Sequence, residues 1–364
     1  MAITLKTSIL QDAVAKSIKA VSNNKMLPLT SLICVEVNDS KLNLITFDGS
    51  NYLYVHVKLE ACEDFYVVVQ ADKFSKLVSL LTSESVELDV TERALEINAN
   101  GNYKIEIPLD EEGEMIQFPD VLNGEDSKID LSEPSAQIKS ADINSMITGC
   151  KSALATTLAT PCYTGYYCGE KIIATDVNKI AALNTKLFNT DVLLAPELVD
   201  LLEVITSENI DVYINDHIIF ATPGVTVVGR LMDGIEEFAV GPITDLIESD
   251  INSKCKVSKT KLMSLIDRIA LFVGPYDDKA IRLTFAENRI NVESLQANGI
   301  ESIDYISVEN HAPFTCLVDI DYMIDELKAL QTDSVEIFYG SDNSLKFVEG
   351  NMTIVIALMQ EAGE

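Results

Sequence analysis

The sequence predicts an α+β protein in which one unit, two helices packed on antiparallel sheets, occurs three times in tandem. The chain of 364 residues is too long for one ordinary hydrophobic core, and its length fits two or three domains. Segments of helical period alternate with segments of period two. This alternation restarts roughly every 110 to 130 residues, as in a repeat protein. We therefore predict three domains, over residues 1–122, 128–246 and 251–364.

The first domain begins with a helix whose apolar residues, between Ile9 and Val21, fall on one face and which Ser8 can cap. A second helix is predicted over Lys73–Leu81, with Asp72 as its cap. Runs of period two indicate strands over residues 32–37, 41–47, 52–59, 65–69, 85–90, 94–99 and 102–108. The stretch Val121–Pro134 is rich in Asn, Gly, Asp, Ser and Pro, which predicts a linker.

The second domain repeats this order. Ala141–Ala153 has helical spacing, and Pro196, at a natural first-turn position, opens a helix that reaches Ile205. Two of the predicted strands are separated only by a tight polar corner at Asp176–Lys179. The strands cover residues 166–168, 171–175, 179–184, 210–214, 217–221 and 226–231.

The third domain starts at Ser258, which caps a helix over Lys259–Leu271. Asp319 or Asp321 begins a further helix that runs to Leu330. Strands are predicted over residues 280–285, 289–294, 301–308, 334–339, 345–349 and 352–359.

The charge balance is strongly acidic. The chain has 27 basic and 57 acidic residues, for a net charge of −30. This excess argues against binding nucleic acid over a broad surface, because phosphate contacts require Lys and Arg. The six predicted helices are nevertheless roughly charge-balanced, so the rest of the chain carries nearly all of the excess acid. A basic strip along the helices is compatible with an exterior that repels polyanions.

Composition also limits location and chemistry. No apolar run approaches the roughly 18 residues that span a bilayer, and the N-terminus lacks a signal-peptide core. We expect a cytoplasmic protein with no membrane association. The seven cysteines form no CxxC pair, and the three histidines have no evident partners, so reduced buried thiols are expected. No phosphate loop, HExxH or GxSxG motif is present. The sequence predicts no enzyme, no cofactor and no metal.

Over its whole length the chain resembles the DNA polymerase III beta sliding clamp family. The resemblance depends on the three tandem units and on several short segments in matching order and spacing. These segments are Ala174-Thr175-Asp176, Asn178-Lys179-Ile180, Arg230–Gly234, Lys279–Leu283 and a hydrophobic carboxy-terminal strand. The resemblance implies that the chain is a processivity factor without catalysis of its own. Two copies would form a head-to-tail dimeric ring of six units around duplex DNA, associated with the nucleoid, and would tether the replicative polymerase.

The resemblance also implies a groove that takes short linear peptides of DNA polymerase, clamp loader and repair proteins. The predicted groove residues are Tyr163, Thr175, Val177, Asn178, Lys179, Ile180, Pro242, Ile356, Leu358 and Met359. Apolar walls with an adaptable methionine suit aliphatic and aromatic anchors. For Ile180, Ile356 or Leu358 taken singly, an ordinary core position is the safer interpretation.

Two further surfaces follow from the same resemblance. Residues predicted to face DNA are Lys16, Lys19, Lys25, Lys73, Lys76, Lys151, Lys259, Lys261 and Arg268. Their alternative is an ordinary solvated helix face. Residues predicted to form the dimer interface are Tyr103, Ile105, Leu271 and Phe272. A core contact within the unit is about equally good for Ile105.

The chain departs from the family pattern at three places. The family usually has Gly-His-Arg-Leu after Thr-Asp, whereas this chain has Val177–Ile180. Glu236–Ala239 replaces the family's Phe-Pro-Asp-Tyr, and a polar tail, Gln360–Glu364, follows Met359. Two other functions stay open: a repeat-built interaction scaffold that does not encircle DNA, and an enzyme with an unrecognised acidic metal site.

Overall fold

The computed structural model describes residues 2–60, 63–122, 131–251, 253–273, 279–295, 302–309, 312–341 and 343–360. The middle of the predicted linker, residues 123–130, and the end of the polar tail, residues 361–364, lie outside the described residues. None of the described helices is both long enough and apolar enough to cross a membrane.

Seven α-helices lie within the described ranges. They are α1 Thr7–Ser17, α2 Ala71–Ser79, α3 Ser140–Cys150, α4 Pro196–Leu201, α5 Val240–Glu248, α6 Lys259–Ala270 and α7 Ile320–Ala329. Six of them confirm the predicted helices, and short 3-10 turns at residues 18–20, 151–153 and 202–204 extend α1, α3 and α4. Helix α5 was not predicted.

The predicted helix caps are confirmed for α6 and α7 only. The Ser258 hydroxyl accepts a hydrogen bond from the amide of Lys261, and the Asp319 carboxylate accepts two from the first turn of α7. The prediction for Ser8 is wrong, because a strand runs directly into α1 and Lys6 occupies the cap position. Asp72 likewise lies inside the first turn of α2, where its negative charge still faces the positive helix end.

The chain separates into two compact units, which divide the residues differently from the three predicted domains. The first unit comprises residues up to Ile143 together with Glu197–Leu231. The second comprises Asn144–Pro196 and Met232–Glu364. The three-domain division stays a prediction.

The first unit contains two antiparallel sheets. The four-stranded sheet has the order β1 Ala2–Lys6, β6 Ser85–Val90, β7 Ala94–Asn98 and β8 Asn102–Glu106. The eight-stranded sheet has the order β5 Phe65–Gln70, β2 Leu32–Asn38, β3 Lys41–Phe47, β4 Tyr52–Lys58, β16 Val225–Gly229, β15 Ile218–Ala221, β14 Asn209–Ile214 and β9 Ala136–Lys139. Strands distant in sequence meet where β4 pairs with β16, with Val55 opposite Val225.

The second unit has the same two-sheet plan. Its eight-stranded sheet has the order β13 Val192–Leu194, β10 Tyr166–Cys168, β11 Ile172–Thr175, β12 Lys179–Leu183, β24 Met352–Ala357, β23 Ser344–Glu349, β22 Ser334–Tyr339 and β17 Ser253–Ser258. Its four-stranded sheet has the order β20 Ile303–Ser307, β19 Arg289–Ser294, β18 Ala280–Ala286 and β21 Phe314–Asp319. Strand β12 pairs with β24, and Ile180 lies opposite Val355.

Five strands were not predicted from the sequence: β1, β9, β13, β17 and β21. Each one immediately precedes a helix or is separated from it by a single residue. Strand β17 buries only Cys255 and Val257, so its apolar alternation is too short to stand out. Strand β5 precedes α2 in the same way. A strand followed by a helix therefore recurs six times, twice in each of the three predicted units.

Amphipathic helices pack against the sheets. In the first unit α1 packs against α2 and against β3 and β4. Leu10, Phe74 and Val78 are completely buried. Burial of such side chains contributes about 1.5–3 kcal/mol each. In the second unit α6 and α7 pack together in the same way.

Candidate functional site

The corner between β11 and β12 is held by its own polar side chains. The carboxylate Oδ1 of Asp176 accepts hydrogen bonds from the amides of Asn178 at 3.0 Å and Lys179 at 2.9 Å. The hydroxyl of Thr175 donates to the carbonyl of Lys179 at 2.7 Å and accepts from the amide of Val177 at 3.1 Å. These bonds fix the turn. Within the turn, Val177 is 69% exposed.

Val177 adopts a backbone conformation that suits glycine. Its φ is +82°, in the left-handed region that β-branched residues avoid. The family that the sequence resembles usually has glycine at this position, and glycine adopts this φ without strain. Val177 therefore adds an apolar side chain at the corner, at a conformational cost of about 1–3 kcal/mol.

Lys179 lies beneath the corner and not on its surface. Its side chain is only 6% exposed, and its Nζ lies 3.4 Å from Oε1 of Glu326, which is 1% exposed. The Tyr322 ring centroid lies 5.1 Å from the same Nζ, and Asn178 Nδ2 donates to the Tyr322 hydroxyl at 3.3 Å. Glu326 and Tyr322 both belong to α7, so this helix anchors the corner.

The carboxyl group of Glu326 titrates near neutral pH. Burial raises its pKa to about 7, against the opposing effects of the Lys179 ammonium and the Ser152 hydroxyl. Lys179 and Glu326 thus form a desolvated pair. Their mutual attraction offsets only part of the free energy that is needed to remove the two charges from water.

An apolar floor lies beside the corner. It consists of the buried residues Cys162, Tyr167, Ile173, Ile180, Ala182, Leu193, Phe238, Ile243, Ile247 and Val355. Phe238 is at its centre, with its ring stacked on Tyr167 at 5.0 Å and edge-on to Tyr163 at 5.2 Å between centroids. Tyr163 is half-buried at the margin of this floor.

Helix α5 forms one wall over the floor, because it contacts β12 and β24. Its C-terminus is fixed by the buried Lys346, whose Nζ donates to the carbonyls of Ile247 at 3.3 Å and Ser249 at 2.6 Å. Such a cation satisfies carbonyls that the helix leaves without partners. A second lysine, Lys171, forms an ion pair with Glu248 at 2.5 Å.

The carboxy-terminal segment continues along the corner. The amide of Ala357 donates to the carbonyl of Asn178 at 2.8 Å. The amides of Leu358 and Met359 donate to the carbonyls of Asn343 and Leu317, each at 2.9 Å. Met359 is exposed and Leu358 is partly exposed.

The structure separates the ten predicted groove residues into two groups. Exposed or partly exposed residues are Tyr163, Val177, Asn178, Pro242, Leu358 and Met359. Buried residues are Thr175, Lys179, Ile180 and Ile356. For Ile180 and Ile356 this favours the core interpretation that the sequence left open. We define the groove as the apolar floor with the exposed group and α5 around it.

Sequence reasoning missed the α5 wall. Its exposed Leu246 and its buried Ile243 and Ile247 occupy one short segment at the end of the second predicted domain. The spacing of Val240, Ile243, Ile247 is helical and is the signal that could have revealed it.

The residues predicted to face DNA differ in how far their charges are engaged. Lys16 and Lys76 pair with acids of their own helices, Asp12 and Asp72, at 2.8 and 2.7 Å. Arg268 pairs with Asp304 at 2.6 Å. Exposed lysines with no ion pair among the described residues are Lys19, Lys25, Lys73 and Lys261, and Lys151 is exposed as well.

Lys259 differs from the other predicted DNA-facing residues. Its Nζ donates to the carbonyl of Leu330 at 2.6 Å and so binds the end of α7. It is only partly exposed, which suits a structural role within the second unit.

The predicted dimer-interface residues lie on or near two sheet edges. Tyr103 is on the outer strand β8, while Leu271 and Phe272 follow α6, and all three are exposed. Ile105 is only 7% exposed, so the core alternative applies to it. On the outer strand β20 the structure adds two exposed apolar residues that the sequence did not indicate, Ile303 and Tyr305.

The described part of the chain offers little evidence for a reactive nucleophile or a metal site. No group of three His, Cys, Asp or Glu side chains there could hold a metal ion. The six described cysteines are buried and reduced. Burial raises the pKa of Cys255 and of Cys316 to about 12, so neither is a thiolate at neutral pH. Burial lowers the pKa of His56 to about 4, and both its ring nitrogens have partners, Asn43 and Thr226.

Comparison with known proteins gives the fold. Residues 1–115 match the family described as DNA polymerase III beta subunit, N-terminal domain. The DNA polymerase sliding clamp of Bacillus subtilis superposes with a TM-score of 0.84 at 19% identity, over 100% of both chains. The chain has the sliding-clamp fold.

Other sliding clamps agree over the same length. The DNA polymerase III beta subunit of Thermotoga maritima has a TM-score of 0.83 at 19% identity, and that of Pseudomonas aeruginosa 0.81 at 17%. Each comparison covers 99% of this chain and 100% of the other. No curated protein matches the sequence. The sliding-clamp fold is therefore shared while most side chains differ, so the groove's chemistry depends on this chain's own residues.

Proposed function

We propose that this protein is a DNA sliding clamp, a homodimeric ring that encircles duplex DNA and tethers the replicative polymerase. The observation that carries the proposal is the match to sliding clamps over the whole chain at a TM-score of 0.84. In this function the protein is a processivity subunit without catalysis of its own. We infer a cytoplasmic, nucleoid-associated location from the same function.

The two outer strands support ring closure. Strands β8 and β20 each end a four-stranded sheet, and each carries exposed apolar residues, Tyr103 on one and Ile303 and Tyr305 on the other. Unpaired, exposed and apolar edges are a liability in a monomer. Pairing β8 of one copy with β20 of a second covers both, and two such head-to-tail contacts close a dimer.

The distribution of lysine supports loose contact with DNA. The exposed Lys19 and Lys73 of the first unit and Lys261 of the second provide single, separated charges on or beside helices. A few phosphate contacts hold DNA weakly and without sequence preference, which suits sliding. The acidic remainder of the surface would discourage binding to DNA elsewhere.

The groove would serve DNA polymerase, clamp loader and repair proteins. Its floor is buried and apolar, and Met359 and Leu246 are exposed on the segments that we assign to its rim, which suits short peptides with aliphatic and aromatic anchors. A dimer would carry two equivalent grooves.

Topology provides the test. The protein is loaded by a clamp loader and ATP onto nicked circular DNA, and the retained protein is measured by gel filtration before and after linearisation. A clamp stays on the circle and slides off the linear molecule. Equal loss from both forms would exclude a ring and favour a scaffold that does not encircle DNA. Light scattering gives the mass of the free protein, which should be twice the 40.0 kDa of one chain.

A further inference from the structure

The segment over the groove floor carries acids and no bases. Residues 232–251 contain six acids, Asp233, Glu236, Glu237, Asp245, Glu248 and Asp250, and no lysine or arginine. The whole chain has 57 acids and 27 bases, or about two acids for each base. The general excess explains this number, so what matters is where these acids lie in the fold.

This segment forms part of the groove itself. Ile235 and Phe238 pack on the floor, and Glu236 and Glu237 are the exposed residues between them. Asp245 precedes the exposed Leu246 on the α5 wall. No ion pair engages these three carboxylates within the described residues.

The lysines that contact the groove's elements are engaged elsewhere. Lys179, the one cation of the corner, is buried against Glu326. Lys346 is buried on the carbonyls at the end of α5, and Lys171 pairs with Glu248. None of the three offers an accessible charge that would neutralise Glu236, Glu237 or Asp245.

We propose that the groove selects peptides whose apolar anchors are flanked by lysine or arginine, and that it rejects peptides flanked by acids. This inference rests on the proposed peptide-binding function. The floor and the exposed Val177, Leu246 and Met359 provide affinity for the anchors. The surrounding carboxylates provide discrimination, because like charges brought together on binding cost free energy and opposite charges speed association.

Two synthetic peptides test the proposal. Both carry the same leucine and phenylalanine anchors and a fluorescein label, with two lysines flanking the anchors in one and two glutamates in the other. Fluorescence polarisation measures their affinity for the full-length protein at low and high salt. The lysine peptide should bind at least about fivefold more tightly at low salt, and the difference should shrink at high salt as the charges are screened.

Two matched variants assign the effect to the groove. The triple variant Glu236→Gln, Glu237→Gln, Asp245→Asn should reduce the preference to less than about twofold. The control Glu111→Gln, Glu203→Gln, Glu287→Gln changes three exposed acids outside the groove and alters the net charge equally, so it should keep the preference. A fall of equal size in both variants would mean that overall charge decides, and would overturn the proposal.

The outcomes separate this inference from the proposed function. Equal affinities of the two peptides at low salt overturn the charge preference and leave the groove as a peptide site. Absence of binding by either peptide overturns both. Leu358→Ala with Met359→Ala should weaken binding of both peptides alike, which places them in the groove.

Discussion

The ammonium of Lys179 and the carboxylate of Glu326 lie 3.4 Å apart with almost no access to solvent. The first belongs to the end of the β11–β12 corner and the second to helix α7, so a buried ion pair joins two elements that are far apart in sequence. Burial is the largest influence on the Glu326 carboxyl group and raises its pKa to about 7. A position that the sequence assigned to the groove surface is instead an internal anchor.

Stability should depend on pH through Glu326. Its pKa is about 7 in the folded protein, compared with an ordinary value of 4.5. Between pH 4.5 and about 7, Glu326 keeps a proton in the folded state that it has lost in the unfolded state. The resulting stabilisation is complete below pH 4.5 and is lost as the pH rises through 7. The loss is on the order of 3 kcal/mol. Urea unfolding from pH 5 to 8 should show it in the wild type and not in Glu326→Gln, whose side chain stays neutral.

Two variants serve as controls for this pH dependence. Asp325→Asn removes an exposed neighbouring acid on α7 whose charge contributes least to the raised pKa of Glu326, so it should keep most of the slope. Lys179→Met removes the cation that lowers the pKa of Glu326, so the transition should move to higher pH. An identical slope in the wild type and Glu326→Gln would show that another group is responsible.

Val177→Gly should stabilise the protein. The φ of +82° costs valine about 1–3 kcal/mol, whereas glycine adopts it freely but loses more chain entropy on folding. We expect a net gain of about 1 kcal/mol in the free energy of unfolding. Val177→Ala, which keeps a Cβ at the same φ, should give less than half of that gain. A loss of stability in Val177→Gly would show that the exposed side chain contributes packing.

Truncation of the groove's apolar residues should weaken binding of a polymerase-derived peptide. Leu358→Ala with Met359→Ala, and separately Leu246→Ala, should each lower the affinity about tenfold, since anchors in such pockets contribute about 1–2 kcal/mol. Calorimetry measures the affinity, and sedimentation checks that the dimer persists. Leu80→Ala removes an exposed leucine of the first unit and should have no effect. Unchanged affinity in both groove variants would refute the site.

Charge placed at the outer strands should yield monomers. Phe272→Glu introduces a carboxylate beside the proposed contact, and Tyr305→Glu introduces one on β20 itself. Burying an unpaired charge costs more than a hydrogen-bonded edge contributes, so sedimentation velocity should detect the mass of one chain. Leu158→Glu alters an exposed leucine in the loop between residues 151–153 and 161–164, which is part of neither outer strand, and should stay dimeric. A persistent dimer in both test variants would place the interface elsewhere.

Much of the secondary structure could be predicted because it follows from local periodicity. Six helices were predicted from apolar spacing or from the residue that begins them, and the caps Ser258 and Asp319 from residue type and position. Helix α5 was missed because its first turn contains the pair Gly241-Pro242, in a segment that looks like a linker. The short strands before the helices were missed because pairing with neighbours, and not their own pattern, makes them strands.

The sequence by itself determined the α+β class, the recurrence of helix and strand, and the resemblance to sliding clamps, since these depend on period and order along the chain. Only the tertiary structure decided which groove residues reach solvent, that Lys179 is held by Glu326, and that β8 and β20 are outer strands. Each of these depends on contacts between residues distant in sequence. The burial of Lys179, for example, is set by a partner on α7 that no local pattern identifies.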